Sequence, residues 1–415
     1  MPDSTPSASF RIAVVGAGPV GLALALHAAR ALPDARVALY DARPLGRDVS
    51  ADPRTLALSL GSVQVLQRLR AWDPARAQPI LEVHVSQAPP SGVPFVGPWL
   101  GERATDPVVV IRAREEAVPM LGAVLTYGSI VAPLQAAWLA DAVASNGRLE
   151  TRFDATVRAL RNHADAVEVV PEAGDAERYD LAIVAEGGVF GERPAARSPL
   201  GAPWRHDYRQ TAWVGQVGFA PDAGPRAPGM AFERFTRQGP AALLPLPDGR
   251  AALVWCVPQD DDPVLGLSDA QRIAVLNTIF PDDAGRIAEI SPLKAFALGL
   301  HAERTLTDGR TVRIGNAAQM LHPVAGQGLN LGLRDAIELV RALERGPDVA
   351  TVLRRLEWQR APDRWTMILA TDFLARSFMW RLPGAGALRG AGLAALQVLG
   401  PVKSAIARQM MFGSR

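Results

Sequence analysis

Cysteine is nearly absent from the sequence, and this shortage excludes several kinds of protein. The chain has a single cysteine, Cys256, so it forms no intrachain disulfide, and no Cys/His cluster has the spacing of a zinc or iron–sulfur site. Cys256 lies in an apolar segment that predicts a buried strand, where an inert thiol is favoured over a nucleophile. We therefore expect no metal site and a reducing, cytoplasmic environment.

Long apolar runs and an excess of one charge are missing as well. No stretch reaches the roughly 20 uninterrupted apolar residues that a membrane-spanning helix needs. The most apolar N-terminal stretch, 12–26, is broken by glycines and a proline, unlike a signal peptide. Because 44 basic and 42 acidic side chains leave a net charge of +2, a nucleic-acid partner is not expected. The 415 residues, 48% of them hydrophobic, suffice for two or three folded domains.

The first motif lies between an apolar strand and a helix near the N-terminus. Segment 10–15 predicts the strand, segment 22–30 predicts the helix, and between them stand Gly16, Gly18 and Gly21 in the spacing G-x-G-x-x-G. In such a motif the first glycine permits a tight turn, the second lets backbone approach a pyrophosphate, and the third allows close helix–strand packing. The helix start also presents free N–H groups to phosphates.

An acidic residue completes this motif. Asp41 ends the next predicted strand, 36–40, twenty residues after Gly21. A carboxylate at this position can accept hydrogen bonds from both ribose hydroxyls of an adenosine. Dinucleotide binding is therefore favoured over a glycine turn of purely structural use.

A second glycine-rich turn follows the strand predicted at 311–314. It contains Gly326, Gln327, Gly328 and Asn330 and continues into a helix that we predict to reach about residue 344. This would be a second helix N-terminus able to receive negative charge, such as that on a reduced aromatic ring system. A helix-capping loop is the alternative, but a cap does not need an amide pair flanked by glycines that admit a flat ligand.

These residues carry a resemblance to a known family. Segment 315–335 contains G-N-A-A-Q-x-L-H-P-x-A-G-Q-G-L-N-L-G-L-R-D and resembles the second flavin fingerprint of the ubiquinone-biosynthesis FAD-dependent hydroxylases (2-octaprenyl-6-methoxyphenol hydroxylase type). That family lies within the p-hydroxybenzoate hydroxylase-like flavin monooxygenases. Segment 52–59 resembles the family's D-x-R-T-x-A-L-S block, and 239–246 and 253–255 resemble its substrate-domain strands. The resemblance spans nearly the whole chain.

The resemblance implies an α/β fold with three parts. These are a Rossmann-like FAD-binding domain of the glutathione-reductase type, an antiparallel β-sheet substrate domain and a C-terminal helical segment. Strand-like segments alternating with Pro/Gly turns support the antiparallel sheet. We predict that the FAD-binding domain comprises 1–75, 105–190 and 298–350, the substrate domain 76–104 and 191–297, and the helical segment 351–415.

The resemblance also implies an enzyme and its reaction. Family members use FAD and O2 to hydroxylate the ring of a polyprenylated phenol through a flavin hydroperoxide. Since the chain has only one G-x-G-x-x-G motif, NADH or NADPH would visit transiently. A hydroxylase of another aromatic substrate stays open, because fold and cofactor do not fix the substrate. So does a non-catalytic, flavin-holding scaffold within a biosynthetic complex.

Family positions assign cofactor roles residue by residue. Gly16, Gly18 and Gly21 would hold the pyrophosphate, Asp41 the ribose and Arg43 the adenine. His322 and Pro323 would flank the flavin, with no certain catalytic residue; a histidine held by backbone hydrogen bonds is favoured over a titrating one. The flavin side of the cofactor is assigned to Arg54, Asn316, Gly326, Gln327, Gly328, Leu329 and Asn330. Gln135 is assigned a cofactor-facing polar position, and Glu186 the cofactor side of the site.

One segment departs from the family pattern D-G-x-x-S-x-x-R. Here Glu186 replaces the aspartate and Phe190 the serine, while Arg193 remains. Because the carboxylate survives, we expect Glu186 to serve the cofactor side of the site. The effect of both changes on nicotinamide use stays open.

The C-terminal segment is basic and apolar. No acidic residue follows Asp372, whereas six basic residues do. A polyprenylated substrate would favour contact with an anionic membrane surface, on the inner face of the membrane, through this segment. A helical cap on the FAD-binding domain is an equal alternative.

Overall fold

The computed structural model describes residues 9–88, 108–185, 201–346, 348–377 and 385–413. Its helices are α1 (Pro19–Ala31), α2 (Leu60–Arg68), α3 (Tyr127–Ala144), α4 (Asp269–Ile279), α5 (Gln327–Leu343), α6 (Val349–Ser377), α7 (Ala385–Val398) and α8 (Gly400–Phe412).

The strands are numbered in chain order. They are β1 (Arg11–Val15), β2 (Arg36–Asp41), β3 (Thr55–Ser59), β4 (Gln78–Ile80), β5 (Glu82–Ala88), β6 (Val109–Arg112), β7 (Gly122–Thr126), β8 (Leu149–Phe153), β9 (Val157–Asn162), β10 (Val167–Pro171), β11 (Glu177–Tyr179), β12 (Leu181–Val184), β13 (Trp204–Phe219), β14 (Met230–Thr236), β15 (Pro240–Pro245), β16 (Ala251–Pro258), β17 (Ile287–Ile290), β18 (Lys294–Ala302), β19 (Thr307–Asp308), β20 (Thr311–Arg313) and β21 (Gln319–Met320).

A six-stranded sheet in the order β19-β20-β12-β1-β2-β8 forms the first layer. All pairs are parallel except β19 with β20. Successive residues of β1 enter different cores: Ile12 and Val14 pack with α1 and α3, whereas Ala13 and Val15 pack against the meander β9–β11. Because both faces are covered, the strand is apolar throughout rather than alternating. The predicted α/β, Rossmann-like class is confirmed.

A nine-stranded sheet forms the second layer, in the order β21-β18-β13-β16-β15-β14-β5-β6, with β17 added beside β13. Its pairs are antiparallel except β14 with β5, as predicted for the sheet that walls the site. Residues of α4 cover one face. The sheet also includes β6, which lies beyond the predicted domain boundary at 104, and β18, which crosses the predicted boundary at 298. The boundaries themselves stay a prediction.

The third sheet and the terminal helices close the remaining side. In its order β3-β7-β4 the strand β7 is central, and β3 continues directly into α2. Helix α6 continues through Pro362, whereas Pro401 stands in the first turn of α8, as expected of a helix start. The sequence also predicts a helix break at Pro383, which lies outside the described residues. In the described ranges no single helix is long and apolar enough to cross a membrane; only the pair 388–398 and 400–412, bent by 93°, passes that test.

Candidate functional site

The first glycine turn has the geometry that its spacing predicts. Gly16 has a φ of 103°, and a Cβ on Gly21 would lie 1.9 Å from the carbonyl oxygen of Gly16. Gly18 is the N-cap of α1; no side chain caps it and no acidic residue stands in the first turn. The free N–H groups at this helix start are thus available to an anion.

Asp41 and Arg43 are locked beside this turn. The Asp41 side chain is only 8% exposed; its Oδ2 accepts from the Ala17 N–H at 2.6 Å, and its Oδ1 accepts from the Arg43 N–H and Nε at 2.8 and 2.9 Å. Arg43 also donates to the Ala17 carbonyl at 2.8 Å. Oδ2 also accepts from Arg43 Nη2, at 3.5 Å. Both carboxylate oxygens thus have two donors, and a ribose hydroxyl would replace the longest of these hydrogen bonds.

Tyr127 is a site residue that sequence reasoning missed. Its hydroxyl lies 3.7 Å from the position that a Gly18 Cβ would take, and the Arg54 guanidinium stands 4.1 Å from its ring centroid. Hydrogen bonds from Arg54 to Asp52 at 2.8–3.1 Å lower the pKa of Asp52 and raise that of Arg54. Burial raises the pKa of Tyr127, which therefore stays a neutral hydroxyl beside the turn.

The second glycine turn is also an open helix start. Gly326 adopts a left-handed conformation (φ 59°) as N-cap of α5, again without a capping side chain or an acidic residue in the first turn. A Cβ on Gly328 would meet no atom within 4 Å. A Cβ on Gly332 would lie 2.8 Å from both the Gly315 Cα and a Val20 methyl, so glycine there lets α5 cross closely over the start of α1.

Two acid-free helix starts therefore converge, which is the arrangement that an elongated dianionic dinucleotide requires. The chain offers free N–H groups at both and a carboxylate at one end. The residues present fit FAD.

Asn330 has a structural task that its position in the motif does not show, and its predicted contact with the cofactor stays a prediction. Its Oδ1 accepts from the Ser59 N–H at 2.8 Å, and its Nδ2 donates to the carbonyls of Ala57 and Gly326 at 3.1 and 2.9 Å. The amide thus ties the second glycine turn to β3. Of its predicted companions, Gln327 is buried, Leu329 packs beside the main core and Asn316 is exposed; their contacts with a cofactor stay a prediction.

Gln135 is not brought to the glycine turns. Helices α1 and α3 run parallel, because Tyr127 lies beside Gly18 and Arg30 pairs with Asp141 at 2.8 Å. Gln135, eight residues after Tyr127, is therefore about 12 Å along the helix from the turn. Its buried Oε1 has no hydrogen-bond partner within the described ranges. Glu186, like Phe190, lies outside those ranges, so its role also stays a prediction.

His322 is held in place rather than poised to titrate. Its Nδ1 accepts from the Val324 N–H at 3.2 Å, so the proton is on Nε2, which donates to Gln210 Oε1 at 2.9 Å. The ring is 1% exposed, and burial lowers its pKa to about 4. At neutral pH the imidazole is uncharged and fixes the loop before Gly326 against β13, with Pro323 beside it.

A buried charge network lies behind the second turn and was not predicted. Asp335 accepts from Arg360 Nε at 2.8 Å and from Gln319 Nε2 at 3.0 Å, and Arg364 donates to Gln319 Oε1 at 2.6 Å. Arg360 also pairs with Asp363 at 2.8 Å. The helix that starts at the cofactor site is thereby fixed to α6.

The network extends to the last helix. Arg334 donates to the Met410 carbonyl at 2.6 Å, and Gln409 donates to Asp363 at 2.7 Å. A Cβ on Gly61 would lie 2.6 Å from the Met411 carbonyl, so α8 also packs tightly on α2. The predicted cap on the FAD-binding part is therefore present in the structure.

Comparisons with known proteins agree with this geometry. The family described as FAD binding domain matches residues 9–350. Ubiquinone hydroxylase UbiL of Rhodospirillum rubrum is 30% identical over 96% of this chain and 89% of its own length. The chain belongs to the ubiquinone-biosynthesis FAD-dependent hydroxylases.

Other relatives of this hydroxylase support the same family and fold. The 3-demethoxyubiquinol 3-hydroxylase of Escherichia coli is 30% identical over 94% of this chain and 96% of that protein. Klebsiella pneumoniae HpxO, whose structure holds FAD and uric acid, shares the fold with a TM-score of 0.66 at 16% identity, over 97% and 96% of the two chains. The hydroxylase is an FAD-dependent monooxygenase, with NADH or NADPH as its transient reductant; the predicted family, enzyme class and cofactor are confirmed.

Proposed function

We propose that this hydroxylase adds a hydroxyl group to the ring of a polyprenylated phenol in ubiquinone biosynthesis. The observation that carries the proposal is the convergence of two acid-free glycine turns beneath the nine-stranded sheet. Bound FAD supplies the redox chemistry that activates O2. The protein binds the cofactor at the helix starts, orients the ring of the substrate above it and excludes water.

The wall over the second turn suits an apolar substrate. Phe235 of β14 packs against Val324 of the turn, which places this face of the sheet toward the cofactor site. Across the strands, Ala242 pairs with Val254, and both lie on that same face. Small and apolar side chains leave room for an aromatic ring and keep the site dry, which suppresses loss of reducing power as hydrogen peroxide.

Substrate-dependent consumption of NADH or NADPH with equimolar O2 uptake tests this function. A polyprenylated phenol should stimulate both and yield a product heavier by one oxygen atom. Turnover with another aromatic phenol alone would favour the second hypothesis, a hydroxylase of a different substrate. A protein that holds FAD but takes up no O2 with any phenol would be a scaffold. Loss of one quinone intermediate in cells lacking the protein identifies the ring position.

We also propose that the terminal helices meet a membrane surface. The apolar elbow is the exposed surface formed where α7 meets α8 at a bend of 93°. Five large apolar side chains, 41–75% exposed, form it: Leu388, Val398, Leu399, Val402 and Ile406. Exposed apolar surface of this extent marks an interaction site, and a polyprenyl tail must be drawn from a bilayer.

Two basic side chains in the described part of this segment pair with carboxylates of the protein. Lys403 pairs with Glu115 at 3.3 Å and Arg408 with Glu116 at 3.4 Å. The cationic attraction expected from composition is therefore partly neutralised, and we propose that apolar insertion dominates binding.

Replacing Leu399 and Val402 by aspartate should weaken co-sedimentation with lipid vesicles by at least tenfold, because each buried aliphatic side chain contributes roughly 1.5–3 kcal/mol. The control is Val143→Asp, since Val143 is 87% exposed on the distant helix α3. FAD content should be unchanged in all variants. Equal sedimentation of the variants and the control would remove the membrane role. Point variants are preferred to truncation because α8 holds Arg334 and Asp363.

A further inference from the structure

Among the described residues, one carboxylate, Glu233, stands on the apolar wall that faces the cofactor site. On β14, Ala231 packs in the cluster with Leu60 and Ala407, and Phe235 packs against Val324. Glu233 lies between them, and because side chains alternate along a strand it points to the same face. The spacing of two residues places it about 7 Å along the strand from the side chain that touches the second glycine turn.

The neighbours of Glu233 offer it no countercharge. The adjacent Arg234 points to the opposite face, where it donates to the Ile279 carbonyl at 3.0 Å and to Ser86 Oγ at 2.8 Å. In the described part of the chain, Glu233 forms no hydrogen bond or ion pair.

The groups that share its surroundings are equally unsuited to pair with it. From β15 and β5 the register partners are the apolar Ala242 and Val85. From β16 the titratable group is the buried Cys256, whose pKa is raised by burial and by Glu233, so it stays a neutral thiol. His322, on the turn, is neutral and engaged with Gln210.

Burial alone raises the pKa of Glu233 from 4.5 to about 8. An unpaired carboxyl is costly in such a wall, where an aliphatic residue would fill the same position without penalty. Perturbed carboxyl groups of this kind cluster at functional sites.

We propose that Glu233 receives the ring hydroxyl of the phenol substrate and takes its proton during hydroxylation. The inference rests on the proposed function and names the residue that activates the ring. Phe235 and Val324 border the pocket on one side, so a ring lying over the turn presents its hydroxyl toward Glu233.

The step balances as follows. Because its pKa is about 8, Glu233 is increasingly ionised as the pH approaches and passes 8. In the ionised form it accepts the proton: the phenol O–H bond breaks, the proton moves to a carboxylate oxygen of Glu233, and the electron pair stays on the phenol oxygen and enriches the ring. A ring carbon then forms a bond to one oxygen atom of O2 and loses its hydrogen as a proton. The other oxygen atom leaves as water, with two electrons supplied by NADH or NADPH and two by the ring C–H bond. Glu233 returns its proton when the phenol oxygen is neutralised.

A chromophoric phenol that is still mostly neutral at pH 8, methyl 4-hydroxybenzoate, tests the proton transfer without turnover. Added to the FAD-loaded protein at about pH 8, where a large share of Glu233 is ionised, it should show a stronger phenolate absorption band on binding to wild type than in free solution, and no such increase on binding to Glu233→Gln. Glu233→Asp should retain a smaller increase. The control, Glu289→Gln, changes an exposed carboxyl on β17 and should behave as wild type. A wild-type protein that shows no increase of the phenolate band, or a Glu233→Gln variant that shows the same increase, would overturn the proposal.

Turnover separates this inference from the proposed function. Glu233→Gln should lower product formation from a polyprenylated phenol at least 100-fold with FAD content unchanged, as removal of a general base does. Equal turnover by wild type and variant would contradict the role of Glu233 but not the proposed function. A phenolate band that depends on Glu233, without turnover of polyprenylated phenols, would support proton acceptance by Glu233. It would contradict the proposal that the substrate is a polyprenylated phenol.

Stability against pH gives a second, independent readout. Between pH 4.5 and about 8 the unfolded chain has lost the Glu233 proton while the folded chain keeps it. Folded stability therefore falls as pH rises through this window. Glu233→Gln carries no such loss, so its Tm relative to wild type should be higher at pH 8 than at pH 5. A Tm difference independent of pH would show that the carboxyl is not held protonated by burial.

Discussion

Asp335→Ala should lower the free energy of unfolding by about 3–5 kcal/mol, because it leaves buried guanidinium charge without its partner. Asp335 is 0% exposed and accepts from Arg360 at 2.8 Å and from Gln319 at 3.0 Å. Urea denaturation followed by circular dichroism measures the loss. FAD should be released in the same transition, since Asp335 lies on the helix that starts at Gly326.

The matched control is Asp165→Ala. Asp165 also pairs with an arginine, Arg178, at 2.9 Å, but its side chain is 79% exposed. Exposed ion pairs contribute roughly 0–1 kcal/mol, so this variant should unfold almost as wild type does. Similar losses for both aspartates would mean that burial of the network contributes nothing to stability.

Gly18→Val should abolish FAD binding while leaving the protein folded, a loss of at least 100-fold in affinity. The backbone at Gly18 is extended (φ −75°, ψ −176°), which valine adopts readily, and the nearest atom to its Cβ would be the Tyr127 hydroxyl at 3.7 Å. The added methyl groups fill the space over the helix start that a pyrophosphate needs. Loss of the better N-cap residue costs only about 1 kcal/mol.

Flavin absorbance of the purified variant and a titration with FAD measure the effect. Gly21→Val should instead fail to fold, because its Cβ would lie 1.9 Å from the Gly16 carbonyl oxygen. Gly266→Val, at a position with no atom within 4 Å, should keep both fold and FAD. A folded Gly18→Val protein with full FAD content would place the pyrophosphate elsewhere.

The glycine turns could be predicted because backbone geometry admits few residue types there. Gly16 needs a positive φ and Gly332 a close helix crossing, so both leave a mark in the spacing of the sequence. The strands of the parallel sheet could also be predicted from the sequence, because burial on both faces makes segments such as β1 apolar throughout.

The start of α3 and the site residue Tyr127 could not be predicted in the same way. Pro133 divides the segment, and a prediction based on helix breakers begins the helix after it. The structure begins at Tyr127, because Thr126 Oγ1 accepts from the Ser129 N–H at 3.2 Å and caps a full helix. Tertiary packing on α1 overrides the local signal.

Charged residues of the interior left no local signal at all. Arg360 and Arg364 have the spacing of an exposed helix face, and only the assembled layers bury them. Glu233 likewise stands in a strand sequence that does not show which layer covers its face. Sequence pattern assigns a residue to a face of its own element, but which other element covers that face is a property of the whole chain.

The order of synthesis along the chain decides which half of the cofactor site forms first. The helix start at Gly326 is fixed by contacts with α6 and with residues 409 and 410, which are synthesised more than 80 residues after Gly326. The glycine turn at Gly16 is synthesised some 310 residues before the turn at Gly326. A nascent chain therefore presents one half of the nucleotide site long before the contacts that hold the other half exist.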